Sequence, residues 1–329
     1  MSQTYQFHNI IGKSEKILEI FEIIEKVART DSTVIITGET GTGKELIARA
    51  IHKCSPRKDR PFVPINCAAI PEQLLESEFF GYEKGAFTGA MRSRMGRIEF
   101  SNQGTLFLDE ISSMSLELQA KLLRVIQEQE FERIGGLKTI KVDFRLISAT
   151  NQDLKEKIKE GTFREDLFYR LNVIPINVPP LRERKSDIPI LVNHFLKELR
   201  EHNKTSVKRF SDKAMERLMQ YHWPGNVREL KNLVERLSVL KQQGIIELDD
   251  IPSSMGIPVI PQMKPLVDIN IKKGISFHTQ VAEFERRLLL EALEQTSWVK
   301  EKAAKLLKLK RTTLIEKMKR REIPLQMSR

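Results

Sequence analysis

The sequence predicts an α/β fold built on a parallel sheet, then a small helical domain, then a separate all-helical unit at the C-terminus. Three observations carry this. Five short apolar runs within the first 178 residues alternate with helical periodicity, the pattern of a sheet covered on both faces. Strand signals then stop between Pro179 and about Lys241. Next, Pro252, Pro258, Pro261 and Pro265 punctuate a stretch that reads as an extended, fairly stiff linker, and helical patterning resumes beyond it. The expected boundaries are residues 1–178 for the α/β core, 179–248 for the helical domain, 249–275 for the linker and 276–329 for the terminal unit.

Taken in order, the expected strands are Thr33–Thr37 (TVIIT), Phe62–Asn66 (FVPIN), Thr105–Leu108 (TLFL), Phe144–Ala149 (FRLISA) and Val173–Val178 (VIPINV). Helices are expected between them, including Lys44–Ile51 and Leu116–Glu128. The helical domain reads as Ile188–Glu201, Asp212–Gln220 and Asn226–Leu240. The terminal unit reads as Ala282–Gln295, Lys300–Lys308 and Arg311–Arg321. Ala303, Ala304, Leu306 and Leu307 are available for packing, and Leu314 and Met318 form an apolar back at i, i+4.

Composition excludes several classes. The chain has 329 residues, 40% hydrophobic, with no apolar run near the length a membrane span needs. Its opening, MSQTYQFHNI, lacks the basic segment and apolar core of a secretory signal. Two cysteines, Cys54 and Cys67, make neither a disulfide framework nor a metal site and read as reduced thiols of a cytoplasmic protein. The net charge is +11, and residues 272–329 hold 15 Lys and Arg against 7 Asp and Glu. A basic terminal block suits nucleic acid, and a solvated helix face would give the same count; charge alone leaves both open.

The strongest local signal is Gly38-Glu39-Thr40-Gly41-Thr42-Gly43-Lys44-Glu45, set between the strand TVIIT and the helical run LIARAIH. Glycines let the backbone curl so that its N–H groups converge on phosphate. The helix N-terminus adds partial positive charge, and Lys44 can reach the outer phosphates. The Ser or Thr that commonly follows the lysine and contacts Mg²⁺ is Glu45 here. The strand TLFL runs into Asp109 and Glu110. Beside a phosphate loop such a pair has a use: Asp109 can hold the hydration shell of Mg²⁺, and Glu110 can polarise an attacking water. Asn66 and Asn151 end two further strands. Ligands of open parallel sheets sit beyond the carboxyl ends of the strands, so Gly38, Asn66, Asp109 and Asn151 are expected at one rim.

These residues resemble the AAA+ activators of sigma-54 RNA polymerase. Gly85-Ala86-Phe87-Thr88-Gly89-Ala90 matches that family's signature hexapeptide without change. The loop ending GKE, the segment GTLFLDE (Gly104–Glu110), FREDLFYRL (Phe163–Leu171), PPLRER (Pro179–Arg184) and WPGNVREL (Trp223–Leu230) are similar to it as well. The resemblance spans roughly residues 8–240 and extends to a terminal helix-turn-helix of the Fis type. It implies an AAA+ P-loop ATPase with a helical lid, using ATP and Mg²⁺, and makes Glu45 the family's own usage.

The resemblance also implies roles residue by residue. Ser101, Asn102, Gln103, Gly104, Thr105, Leu106, Phe107 and Leu108 would join Asp109 and Glu110 in the nucleotide site. Asn66 would couple Glu110 to the phosphate state, and Thr150-Asn151 would be a sensor at a strand end. Arg164 and Arg170 would reach the ATP site of a neighbouring subunit, so that the active form is a homo-oligomer, from a dimer up to a hexameric ring. Arg228 would sense nucleotide within its own subunit.

By the resemblance, glycine-framed Phe87 and Thr88 would touch sigma-54; spacing alone slightly favours a tight turn with Phe87 tucked into the core. In the terminal unit Lys310, Arg311, Thr312, Thr313, Lys317 and Arg320 would face double-stranded DNA upstream of promoters. The ATPase resemblance begins near Phe7, so control is expected from a separate regulatory protein or from expression level, in a nucleoid-associated bacterial protein. A protein-remodelling AAA+ ATPase would share the nucleotide site but has no use for the hexapeptide or a helix-turn-helix. A DNA-bound repressor using ATP only as a ligand has no use for Asp109 and Glu110.

Overall fold

A computed structural model describes residues 6–252, apart from 203, 204 and 242, and part of residues 282–323. The chain divides into one unit up to Gly256 and a second from Ile257. The expected linker from residue 253 onward, and much of the expected helix Ala282–Gln295, lie outside the described residues.

The first unit centres on a five-stranded, all-parallel sheet. From edge to edge its strands are Ile174–Asn177, Val34–Thr37, Arg145–Thr150, Thr105–Asp109 and Phe62–Asn66. Neighbouring residues on each strand serve opposite faces, as the two-residue repeat of a strand dictates. Val34, Ile36, Phe107, Ile147 and Ile176 pack under helices Glu15–Ala28 and Lys44–Lys53. Ile35, Leu106, Leu108, Leu146, Val63 and Ile65 pack toward the other layer, where Leu116–Glu128 and Glu165–Leu171 lie. Burying each such side chain contributes roughly 1.5–3 kcal/mol. Proline explains the order at the margins. Lacking an N–H, it suits edge strands, and Pro64 and Pro175 occupy the two edges.

Two hairpins extend from this core. Gly81–Tyr82 pairs with Arg94–Met95 and carries the hexapeptide between its arms, and Glu130–Glu132 pairs with Thr139–Lys141. The helical domain packs Ile188–Glu201, Asp212–Gln220 and Asn226–Lys241 around buried Trp223, whose indole N–H donates to the carbonyl of Leu218 at 2.8 Å. One expectation fails here: the domain is not free of strands. Ser206–Phe210 pairs in parallel with Gln243–Ile246, placing Val207, Phe210 and Ile246 in its core.

In the second unit, helices Lys300–Leu306 and Arg311–Arg320 meet through Ala303, Ala304, Leu314 and Met318, all buried. Leu306, expected in this packing set, is instead 54% exposed. Among the described residues no helix is long and apolar enough to cross a membrane.

Candidate functional site

The five strands are in register so that their carboxyl ends form one rim: Thr37 lies beside Thr150 and Asn177, and Asn66 beside Asp109. Over this rim opens a cleft of about 660 Å³, lined by Thr40 to Ile47, Asn66, Asp109, Glu110 and Arg228, and by Asn9 to Ile11. The sheet therefore brings together the phosphate loop and the acidic pair expected from sequence.

Helix Lys44–Lys53 starts directly at the phosphate loop, with Gly43 as its N-cap at φ 104°. No side chain caps this helix start, where Leu46 and Ile47 N–H donate back to the Gly43 carbonyl, so the helix N-terminus beside the cleft is a ready anion site. Lys44 is buried; its ammonium donates to the carbonyl of Gly38 at 2.8 Å and lies 3.8 Å from Glu110 Oε1. Burial pulls its pKa down, while Glu110 and Asp109 pull it back up. Burial likewise pushes the Asp109 carboxyl above its ordinary value, with Lys44 opposing. Glu110 turns the chain sharply, with φ 53° and ψ 47°, a left-handed conformation costly for a residue with a Cβ. That turn carries its carboxylate to within 3.8 Å of Lys44 and lets it accept from the Asn151 backbone N–H at 3.4 Å. The Asn151 amide in turn donates to Thr40 Oγ1 at 2.9 Å. Three strand ends are thereby linked across the cleft floor.

Other expected residues fall elsewhere. Asn66 lines the cleft, but its Oδ1 accepts from the backbone N–H groups of Ala68 and Ala69, both at 3.0 Å, and so shapes its own turn. Ser101 to Leu108 are not among the residues that line the cleft. Thr105 begins the strand that Asp109 ends, roughly 13 Å away at the rise of a strand. Its hydroxyl is held by His52 Nδ1 at 2.9 Å, and Leu106, Phe107 and Leu108 are core. Asn102 and Gln103 bind Asp143 at that far end, where Gly104 also lies. Neither Arg164 nor Arg170 lines the cleft of its own chain. Arg164 pairs with Asp166 at 2.6 Å, and Arg170 borders a separate cavity with Asp31 and Gln129.

The tip of the hexapeptide stands clear of the core, while Ala90 at its end is buried. Gly85 donates to the carbonyl of Ala90 at 2.9 Å, closing a small loop whose tip bears Phe87 and Thr88. Phe87 is 45% exposed and leans edge-on against Tyr82 at 4.9 Å, so it is not tucked into the core. The second hairpin braces this loop. Arg133 ties Glu83 at its base to Glu99, at 3.0 and 2.8 Å, and Gly135 packs against Ala86.

In the terminal unit Lys310, Arg311, Thr312 and Arg320 are exposed and Thr313 half-buried. Lys317 is committed differently: its ammonium and the Arg321 guanidinium both grip Glu285, whose pKa is lowered by them. A lysine and an arginine on one carboxylate within the domain are packing geometry, and that pair holds the ammonium expected to face DNA.

Sequence reasoning missed how much of the loop is held by the helical domain. Arg182 pairs through two nitrogens with Glu39, at 2.8 and 2.5 Å, and Glu39 falls to a pKa of about 2. Asn226, fully buried, donates to Glu39 and to the carbonyl of Thr40. Arg184, also buried, donates to the carbonyl of Thr42, and the N–H groups of Val227 and Arg228 to that of Gly41. Asp187 receives Lys13 and Ser14 N–H and the Ser14 hydroxyl at 2.7–2.8 Å, fastening the segment that walls the cleft. The only sequence signal was that Arg182, Arg184, Asn226, Val227 and Arg228 sit inside the PPLRER and WPGNVREL motifs.

A parallel sheet with a glycine-rich loop, a buried lysine and an acidic pair at one rim defines a P-loop nucleoside triphosphatase. The comparisons narrow this. Residues 10–177 match the sigma-54 interaction domain, 182–258 the AAA+ ATPase lid domain, and 280–320 the Fis-family bacterial regulatory domain. The chain is 47% identical over 322 residues to the regulatory protein AtoC of Escherichia coli, covering 97% of this chain and 68% of that protein. It is 49% identical over 313 residues to the Nif-specific regulatory protein of Klebsiella pneumoniae, covering 93% of this chain and 57% of that one. The crystal structure of NtrX from Brucella abortus in complex with ATP superposes with a TM-score of 0.72 at 37% identity, covering 95% of this chain and 69% of that one. The chain belongs to the family of sigma-54-dependent transcription activators, AAA+ ATPases with a Fis-type helix-turn-helix. It spans between 57% and 68% of the length of these two curated relatives.

Proposed function

We propose that this chain binds DNA upstream of promoters, assembles into a ring, and uses ATP hydrolysis to remodel the closed complex of sigma-54 RNA polymerase into the open one. The observation that carries the chemistry is the convergence of Lys44, Asp109 and Glu110 at the mouth of the phosphate loop. Backbone N–H groups of the loop and Lys44 bind the triphosphate. Glu110 stands where it can orient water and accept its proton. Arg228, on the cleft wall, senses the terminal phosphate, and Asn151 and Asn66 relay the state of the strand ends.

Among the described residues no group of three or more acidic, histidine or cysteine side chains is assembled for a metal. Half-buried Asp109, whose carboxyl is unfavourably desolvated, gains from a nearby cation. That fits Mg²⁺ carried in on the phosphates and keeping its waters, with Asp109 on its hydration shell. When bound, the ion neutralises charge on the phosphoryl oxygens.

Arg164 and Arg170, absent from the cleft of their own chain, complete the neighbouring subunit's site. Phe87 and Thr88 at the open hairpin tip touch sigma-54. Lys310, Arg311, Thr312, Thr313 and Arg320 contact DNA. Changing Glu110→Gln leaves ATP binding intact and lowers turnover by a factor on the order of 10²–10⁴. Steady-state hydrolysis beside a nucleotide-binding titration reads both, and unchanged turnover removes Glu110 from the role of base.

A further inference from the structure

The phosphate loop carries an acidic residue near its start, which presents a physical problem. Glu39 is the second residue of a loop whose purpose is to gather a polyanion, and an uncompensated carboxylate there repels it. The surroundings of Glu39 answer this. Arg182 meets its two oxygens with two guanidinium nitrogens, and Asn226 adds a third donor. Such fork-to-carboxylate pairing is directional as well as charge-neutralising.

The same stretch of lid also handles the loop's carbonyls. Those of Thr40, Gly41 and Thr42 accept, respectively, from Asn226, from Val227 and Arg228, and from Arg184. Three successive carbonyls of the loop are thereby fixed on the lid, which holds the loop backbone in one conformation. Gly41 permits the approach, since a Cβ there would come within 2.3 Å of the Gly225 carbonyl oxygen.

We infer that Arg182 is a positioning residue for ATP binding: it cancels the charge of Glu39 and, with Asn226 and Arg184, latches the phosphate loop to the lid. This rests on the reading of the cleft as the ATP site. Neither Arg182 nor Glu39 lines the cleft; Glu39 immediately precedes Thr40, which does, so the effect of Arg182 on nucleotide passes through Glu39 and the loop it belongs to.

The test is a titration of the full chain with ATP and Mg²⁺ at low and moderate salt, for wild type, Arg182→Ala, and Arg182→Ala combined with Glu39→Gln. Arg182→Ala is expected to bind ATP about tenfold more weakly, the size of losing one charge partner, and the deficit shrinks as salt rises. The double variant recovers most of the loss, because the exposed carboxylate is gone. A purely structural role for Arg182 would leave the double variant as weak as the single one, and that result overturns the inference, as does wild-type affinity in Arg182→Ala. If Arg182→Ala does not fold, Arg182→Gln, of similar bulk, is read by the same criterion. Failure of the wild-type chain to bind ATP at all would instead overturn the reading of the cleft.

Discussion

Two glycine-rich turns in this molecule do opposite things. At the phosphate loop, Gly41 is pressed under the lid: an added Cβ would strike the Gly225 carbonyl oxygen at 2.3 Å and approach Arg228 at 3.1 Å. At the hairpin tip, Gly89 also has positive φ, at 101°, yet a Cβ there would meet nothing within 4 Å. One glycine exists for close approach and the other for a bend in open space. A nucleotide site must hold donors still, so its glycine is crowded by fixed backbone. A loop that has to move onto a partner needs the bend without the crowding.

Substitutions separate the two cases. Gly41→Ala should give the largest effect, because backbone rather than a flexible side chain must move, and ATP binding is expected to fall by at least about a hundredfold in the same titration. A near-normal Kd would mean the lid is not packed on the loop as described. Gly89→Ala carries only the cost of a strained left-handed residue, roughly 1 kcal/mol. It should leave ATP turnover within about twofold of wild type. A collapse of turnover would tie the hairpin tip to the site more tightly than its open surroundings suggest.

The smallest effect concerns Asp109. A carboxyl whose pKa is raised in the folded state destabilises that state at neutral pH, and the penalty disappears as pH falls below its folded pKa. Asp109→Asn should therefore match or exceed the wild-type Tm at pH 7 in the absence of nucleotide, by a few degrees at most. The gap should close below about pH 4, where the wild-type carboxyl is protonated. A lower Tm at pH 7 would show the charge to be stabilising.

Much of this was legible in the sequence, for physical reasons. Buried parallel strands must be apolar throughout and must end in something polar, so TVIIT, TLFL and RLISAT announce both the sheet and its rim. The strand pair in the lid was hidden. Ser206–Phe210 (SVKRF) carries two charges in five residues, and its partner Gln243–Ile246 lies beyond two helices, so no local pattern reports the pairing. Distance in sequence hid the loop latch as well, since Arg182 and Glu39 are 143 positions apart. Ser101 to Leu108 lie off the cleft because the motif spans a strand and the turn before it, and only the strand's carboxyl end borders the cleft. Local pattern does not tell Lys317 from its neighbours, because its partner Glu285 lies 32 positions away.

The central claim is that hydrolysis in the cleft drives the Phe87–Thr88 tip onto sigma-54, and one measurement addresses it directly. Purified chain is mixed with sigma-54 and ADP plus a metal-fluoride mimic of the transferring phosphoryl group, and complex formation is followed by gel filtration or fluorescence anisotropy. Wild type is expected to form the complex only with the mimic present, while Thr88→Ala, still hydrolysing ATP, does not. No complex with wild type, or equal complex with Thr88→Ala, would contradict the account.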